Sequence, residues 1–241
     1  NYGMRYLYMF ILSLERATGR RSPWLEGRAV REALTFPMRM TPYVGCPCSF
    51  GDVNAWSPLP FHLAAARRLR QPAALAELMP YWRPAAPDAS LGWPNAAELL
   101  CQYENVSGSR PRRIQPFVHQ YPGMDWVVLA DRMPAPRLYV SVRGGTTNVP
   151  HGHVDLTSFH AVVGGEKMIA TLGPSRYYDT TFSPRRWELF EMAPMSKNVL
   201  LVDGVGITRP AAVTTRTLRT PWGPGVRLDA AAALGGGRRD N

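Results

Sequence analysis

The first hydrophobic segment of the chain is nearly continuous. Most positions between Tyr2 and Arg16 carry apolar side chains, which is more than the single apolar stripe of a surface helix. We therefore predict an inner, buried helix that is stopped at Gly19. Three further helical segments follow, with Pro- and Gly-rich turns between them. They run from about Trp24 to Phe36, from Pro60 to Arg70 and from Pro72 to Trp82.

The pattern changes after the polar segment from Asn105 to Arg113. Beyond it, apolar and polar residues alternate over short runs, and turn residues separate the runs. Period-two alternation at this spacing is typical of an antiparallel β-sandwich. The predicted strands are Asp125 to Ala130, Arg137 to Arg143, Thr157 to Val163, Lys167 to Leu172, Asn198 to Asp203 and Val213 to Arg219.

Helices followed by strands indicate an α+β chain and not a parallel βαβ fold. We place the boundary between an α-helical domain, residues 1–110, and a β-sandwich domain, residues 111–241. Within the run from Arg137 to Arg143, Leu138, Val140 and Val142 share one face, which we expect to be the core face. The alternate residues, from Tyr139 to Arg143, should form the polar face.

The net charge of +10 comes almost entirely from arginine, since Lys167 and Lys197 are the only lysines. Arginine binds carboxylate and sulfate groups bidentately, so an acidic polymer is a plausible partner. The basic residues are scattered and form no nucleic-acid-binding motif, so we expect no nucleic-acid partner. The longest apolar run, from Leu7 to Leu14, is too short to cross a membrane.

The segment richest in chemistry begins with Arg143-Gly144-Gly145 and continues, after a short loop, into His151-Gly152-His153-Val154-Asp155. In an extended backbone, His151 and His153 project to the same side, and Gly152 permits a close approach. Such a pair suits a metal ion or an acid and a base. The alternative is a hydrogen-bonded turn in which Asp155 fixes one imidazole.

This segment resembles the heparinase II/III-like polysaccharide lyases. The family pattern has a strand ending in Arg-Gly-Gly, a loop, His-Gly-His-x-Asp and then Ser-Phe, and the chain carries Ser158-Phe159 at the last position. The resemblance continues through most of the chain, from residue 1 to about 208. The other matching segments are Asn1 to Leu7, Phe50-Gly51-Asp52, Trp126 to Leu129, Gly164 to Lys167 and Asn198 to Gly204.

The resemblance implies an incomplete (α/α) toroid followed by a truncated antiparallel sandwich. It also implies cleavage beside a uronic acid by β-elimination, which needs a neutralised carboxylate, a base and an acid. His151 takes the position of the catalytic histidine, which acts as a base or as an electrostatic partner according to the stereochemistry of the substrate. Tyr2 is the candidate for the catalytic tyrosine, although a tyrosine before residue 1 or a structural role for Tyr2 is an alternative.

Three further residues are candidates for the site. Arg143 and Asn148 are candidates for substrate binding by their own chemistry. The alternatives are a solvated or structurally paired arginine and, for the asparagine, turn chemistry. Some family members hold a structural metal through the second histidine of the motif, here His153. The other two ligand positions carry Thr171 and Lys197, so we expect no metal and no other cofactor.

The leading functional hypothesis is a lyase acting on an acidic polysaccharide, such as a glycosaminoglycan or alginate. The resemblance implies a periplasmic or secreted protein, and it leaves the oligomeric state open. A catalytically inactive carbohydrate-binding or scaffold relative is the main alternative, and a metal-dependent hydrolase that uses His151 and His153 is a third. Aromatic residues such as Trp56, Trp126 and Tyr177-Tyr178 are candidates for stacking on sugar rings, with core packing as the alternative.

Overall fold

The computed structural model describes residues 2–48, 50–53, 56–82, 110–173 and 176–235. Within these ranges, four α-helices precede the strands, and a fifth short one follows them. The predicted segment from Trp24 to Phe36 divides into a 3₁₀ turn, Pro23–Glu26, and a helix, because Gly27 between them has an extended backbone. The helices are α1 (Tyr2–Thr18), α2 (Arg28–Arg39), α3 (Pro60–Arg68), α4 (Pro72–Leu78) and α5 (Ala231–Gly235).

In the described part of the chain, the strands form two antiparallel sheets. The larger sheet has the order β1-β2-β3-β5-β6, and the smaller one has the order β4-β7-β8. This arrangement confirms the α+β class and is consistent with a β-sandwich. The strands are β1 (Phe117–Tyr121), β2 (Trp126–Ala130), β3 (Leu138–Arg143), β4 (Gly145–Thr146), β5 (Phe159–Val163), β6 (Glu166–Ile169), β7 (Ala212–Thr220) and β8 (Gly223–Asp229).

A single main hydrophobic core joins the helices to the larger sheet. Phe36 of α2 contacts Tyr121 of β1 with ring centroids 5.0 Å apart, in an edge-to-face arrangement. Phe50 contacts Trp126 of β2 at 5.1 Å and His160 of β5 at 4.9 Å. Because aromatic pairs add attraction beyond their buried area, these contacts hold the turn that carries Phe50 against the sheet.

Helix α1 is less buried than its continuous apolar sequence predicts. Tyr8 and Ile11 are fully buried, whereas Phe10 is 58% exposed and Tyr6, Leu7 and Leu14 are also exposed. The prediction of an inner helix is therefore wrong for the described part of the chain, where only one stripe of α1 meets the core. Within those described ranges, no helix is both long and apolar enough to cross a membrane.

The face assignment on β3 is also wrong for Leu138 and for the predicted polar face, although Val142 is buried as predicted. Leu138, predicted in the core, is exposed, whereas Tyr139, Ser141 and Arg143, predicted on the polar face, are all buried. Ser141 is satisfied there because its hydroxyl lies within hydrogen-bond distance of the Cys48 carbonyl and of His160 Nδ1. Polar side chains on this strand therefore face the protein interior, where other elements supply their partners.

The predicted strand from Asn198 to Asp203 is not a strand. This segment makes one isolated bridge, Val202 with Val205, and is otherwise tied down by side chains. The Asn198 amide donates to the Phe159 carbonyl, and the Leu200 N–H donates to the Thr157 hydroxyl. Those bonds replace a strand ladder.

The toroid and the domain boundary stay predictions. The four N-terminal helices are described, but a toroid is not shown by them. The boundary at residues 110 and 111 lies beside residues 83–109, which are outside the described part of the chain.

Candidate functional site

The site forms where the turn at residues 50–53 meets the loop at residues 149–153. The Asp52 backbone N–H donates to the His151 carbonyl at 3.1 Å, which joins the two segments. Gly51 has φ +77°, and a Cβ at this position would lie 2.4 Å from the His151 carbonyl oxygen. Glycine is therefore required here both by the left-handed backbone and by the close approach.

The Asp52 carboxylate is the centre of the site. Its Oδ2 lies 3.0 Å from His151 Nδ1, and its Oδ1 lies 2.8 Å from His153 Nε2 and 2.7 Å from Arg186 Nη2. The side chain is 1% exposed. Burial by itself raises the pKa of Asp52, but the hydrogen bonds from Arg186, His153 and His151 outweigh burial and lower that pKa. Asp52 is therefore an ionised carboxylate that accepts from three donors.

His151 is the exposed member of the pair, with 63% of its side chain accessible. Because an ionised carboxylate is only an acceptor, the Nδ1 that faces Asp52 must carry a proton. In the neutral ring Nε2 then holds the lone pair, which is available to a substrate. The geometry orients one imidazole with a carboxylate behind it, an arrangement that is also found in enzymes that use a histidine base.

His153 is chemically different although it contacts the same carboxylate. Its side chain is 1% exposed. Burial and the nearby positive charge of Lys197 lower the pKa of His153 to about 4, against the opposing effect of Asp52. His153 is therefore neutral near pH 7, and its Nε2–H donates to Asp52. It orients the carboxylate and does not face a substrate.

Arg186 is a site residue that the sequence analysis missed. It lies in the 3₁₀ helix Pro184–Glu188 and is 7% exposed. Its guanidinium donates to Asp52, to the Gly152 carbonyl at 3.1 Å and to the Thr181 carbonyl at 3.0 Å. No pattern in the sequence distinguishes it from its exposed neighbour Arg185. The turn with Asp52 was noted in the resemblance, but no role was assigned to its carboxylate.

Arg143 and Asp155 form a separate buried ion pair. Arg143 Nε lies 2.6 Å from Asp155 Oδ1, with the two side chains 4% and 1% exposed. The N–H is not aligned on that oxygen, so the contact is electrostatic and not a well-formed hydrogen bond. Asp155 therefore does not fix an imidazole, and that alternative is wrong. The placement of Arg143 favours the structural alternative over substrate binding.

The other two predicted site residues, Asn148 and Tyr2, are not shown in contact with Asp52. Asn148 is exposed in the loop before His151, and its backbone N–H donates to the Thr146 hydroxyl at 3.1 Å. Tyr2 begins α1, but its side chain lies outside the described residues. Both assignments stay predictions.

The residues at the family's metal position do not fit a cation. His153 Nε2 is held by Asp52, Thr171 Oγ1 lies 3.1 Å from His160 Nε2, and the Lys197 ammonium donates to the Leu172 carbonyl. Among the described residues, no group of three or more His, Cys, Asp or Glu side chains is arranged to hold a metal ion. The two cationic side chains near Asp52, Arg186 and Lys197, oppose a bound cation electrostatically.

Comparisons with known proteins give a structural likeness but assign the chain to no family. No family model matches the chain, and no curated protein matches it. One solved structure with a similar fold is described as a heparinase III gene product with methylated lysines. The two share 14% sequence identity with a TM-score of 0.41, over 78% of this chain and 25% of that one. The chain thus spans about a quarter of that protein's length, and the relation is a distant structural one.

Proposed function

We propose that this chain carries the catalytic histidine of a polysaccharide lyase that cleaves an acidic, uronate-containing polysaccharide by β-elimination. One observation carries the proposal: exposed His151 donates from Nδ1 to buried, ionised Asp52 at 3.0 Å. The His-Gly-His-x-Asp pattern supports the same reading through its resemblance to heparinase II/III-like lyases. The basic, arginine-rich composition suits an acidic polymer.

In the proposed reaction, His151 Nε2 removes the proton at C5 of the uronate ring. The electron pair left at C5 forms the C4–C5 double bond, the C4–O bond breaks, and the leaving oxygen takes up a proton. Asp52 stabilises the imidazolium that forms and holds the ring in the productive tautomer. Arg186 and His153 keep Asp52 ionised and in place.

Tyr2 is the proposed proton donor to the leaving oxygen, by the resemblance alone. The group that neutralises the uronate carboxylate is not assigned to any residue of this chain. The proposed site therefore contributes an oriented base. A periplasmic or secreted location belongs to the same proposal.

A second candidate is a carbohydrate-binding relative without catalysis. The observation that favours it is the group of exposed aromatic rings beside His151, which suits sugar binding whether or not a bond is broken. The two candidates differ in one product, the unsaturated uronate.

The test is to incubate the natural full-length protein with heparan sulfate, hyaluronan, alginate and polygalacturonate, and to follow the ultraviolet absorbance of the new double bond. We expect one polymer to give a signal that His151→Ala abolishes. His119→Ala is the matched control, because His119 lies on β1 and makes no contact with Asp52 among the described residues. Folded wild-type protein that binds a polymer but yields no absorbance would favour the second candidate.

A further inference from the structure

A group of exposed aromatic rings extends from His151 across the surface. The rings of His151 and Phe182 are 5.8 Å apart in an edge arrangement, and those of Phe182 and Tyr177 are 5.0 Å apart. Phe182 is 65% exposed, Tyr177 is 51% exposed and Tyr178 is 40% exposed. Contiguous exposed apolar surface of this kind marks binding sites. We call Tyr177, Tyr178 and Phe182 the aromatic platform.

The aromatic platform is fastened to the same residues that hold His151. The Tyr178 backbone N–H donates to the hydroxyl of buried Thr181 at 2.7 Å. The Thr181 carbonyl accepts from Arg186, whose other terminal nitrogen binds Asp52. One guanidinium therefore fixes both the platform and the carboxylate behind His151. A surface that is already ordered loses little conformational entropy when it binds a ligand.

Positive charge lies at one edge of the aromatic platform. The Arg176 guanidinium carbon lies 4.7 Å from the centroid of the Tyr178 ring. A guanidinium stacked by its face keeps its N–H groups free at the edge, where they can bind a carboxylate or sulfate bidentately. Among the described residues, Arg176 has no carboxylate partner within ion-pair distance.

An open groove lies beside these rings. It has a volume of about 460 Å³ and is lined by residues 176–180 and Leu189. Asp179 is part of the lining, so its carboxylate opposes an anionic ligand while Arg176 attracts one. Tyr177 lines the groove, its ring contacts that of Phe182, and the Phe182 ring contacts that of His151.

The geometry points to a sugar-binding subsite next to the catalytic histidine, in which the aromatic platform stacks on a sugar ring and Arg176 binds its acidic group. The acidic class of the sugar rests on the proposed function, whereas the stacking surface does not. The occupant is an acidic oligosaccharide, one ring of which lies on Phe182 and Tyr177 while the adjacent bond reaches His151.

The test measures binding by titration calorimetry, with tetrasaccharides of heparan sulfate, hyaluronan, alginate and polygalacturonate and with cellotetraose as the neutral probe. Phe182→Ala removes an exposed ring, and we expect Kd to rise about fivefold to tenfold. Tyr177→Phe keeps the ring and should bind as the wild type does, whereas Tyr177→Ala removes the ring and should bind more weakly. Trp222→Ala, in the exposed turn between β7 and β8, is the matched control and should change nothing.

Charge is tested separately. Arg176→Gln should weaken binding of the acidic probes and leave cellotetraose unaffected, and Asp179→Asn should tighten the acidic probes. Absence of binding by folded wild-type protein, or equal loss in Phe182→Ala and Trp222→Ala, would overturn the subsite. His151→Ala should still bind the probes. Wild-type protein that binds through the platform but never forms the double bond would refute the lyase proposal and leave the subsite standing.

Discussion

His151 and His153 are two residues apart and share one carboxylate, yet their surroundings give them opposite properties. His151 is exposed, so its second nitrogen can meet a substrate. Burial, followed by the positive charge of Lys197, lowers the pKa of His153 to about 4 and keeps this imidazole neutral. The motif predicts that both imidazoles lie at one place. It does not reveal that Asp52, about a hundred residues earlier, is the carboxylate that separates their roles.

The first prediction concerns Asp52. In Asp52→Asn the amide can donate to His151 Nδ1, which favours the tautomer that has its proton on Nε2 and cannot act as a base. We expect kcat to fall by about 10² to 10⁴ with little change in KM. Asp203→Asn is the control, because Asp203 is exposed at φ +52° and asparagine tolerates that backbone. Equal kcat values for Asp52→Asn and the wild type would contradict the role of Asp52.

The second prediction concerns pH and His160. This histidine is 3% exposed, and burial, followed by the charges of Lys167 and Lys197, lowers its pKa from 6.5 to about 4. Between those two values the unfolded state binds more protons than the folded state, so stability is lost as the pH falls from 6.5 to 4. The loss from this one group is roughly 3 kcal/mol.

Urea unfolding at pH 7 and at pH 4 measures this contribution. His160→Gln removes the titrating group, so its loss of stability between the two pH values should be smaller than that of the wild type. The variant also loses contacts to Ser141 and Thr171 at both pH values. That loss cancels when the free energy of unfolding at pH 4 is subtracted from the one at pH 7. Equal pH dependence in the two proteins would show that His160 does not carry the effect.

At the scale of elements, the site depends on three segments that are not strands of the main sheet. The turn at 50–53 supplies Asp52, the loop at 149–153 supplies both histidines, and the 3₁₀ helix Pro184–Glu188 supplies Arg186. The predicted bounds of β2, β3 and β7 agree with the structure to within one residue, although β2 is apolar throughout and does not alternate. Strand β8 was missed because its Gly223-Pro224-Gly225 start reads as a turn, although it pairs with β7 along its whole length.

The third prediction separates backbone strain from close contact at Gly51. Gly45 and Gly51 have nearly the same φ, +79° and +77°, but a Cβ on Gly45 meets nothing within 4 Å whereas one on Gly51 meets the His151 carbonyl. Gly45→Ala should therefore cost only the left-handed backbone penalty of about 1–2 kcal/mol. Gly51→Ala should cost more and should reduce kcat at least about tenfold, because Asp52 moves away from His151. If Gly45→Ala and Gly51→Ala had equal effects on the free energy of unfolding and on kcat, the close docking of the turn would be contradicted.

The fourth prediction concerns the 3₁₀ helix. Arg186→Met leaves the buried Asp52 carboxylate without its strongest donor, and we expect a loss of about 3–5 kcal/mol in the free energy of unfolding. Arg185→Met is the neighbouring control, since Arg185 is 68% exposed and pairs with an exposed Glu188. Exposed pairs of this kind contribute little, so its effect should stay within about 0.5 kcal/mol. Similar losses in the two variants, measured by urea unfolding, would contradict the role of Arg186.

At the scale of the whole molecule, the sequence predicts the α+β fold class better than it predicts which side of each element is buried. Helices first and antiparallel strands afterwards are confirmed, because periodicity reports local backbone geometry. The buried side of α1 and of β3 was predicted wrongly, because burial depends on which element packs against each face. Arg143 shows the reason: its polar side chain lies inside because Asp155, from the next loop, neutralises it there.

The central claim is that Asp52 acts through His151 on a uronate polysaccharide. The most direct measurement is the initial rate of double-bond formation by the wild type, Asp52→Asn, His151→Ala and the double variant, on the polymer that the wild type cleaves. Because the two residues act as a unit, the double variant should be no slower than His151→Ala alone, so the two losses should not multiply. Losses that multiply, or a His151→Ala protein as active as the wild type, would contradict the account.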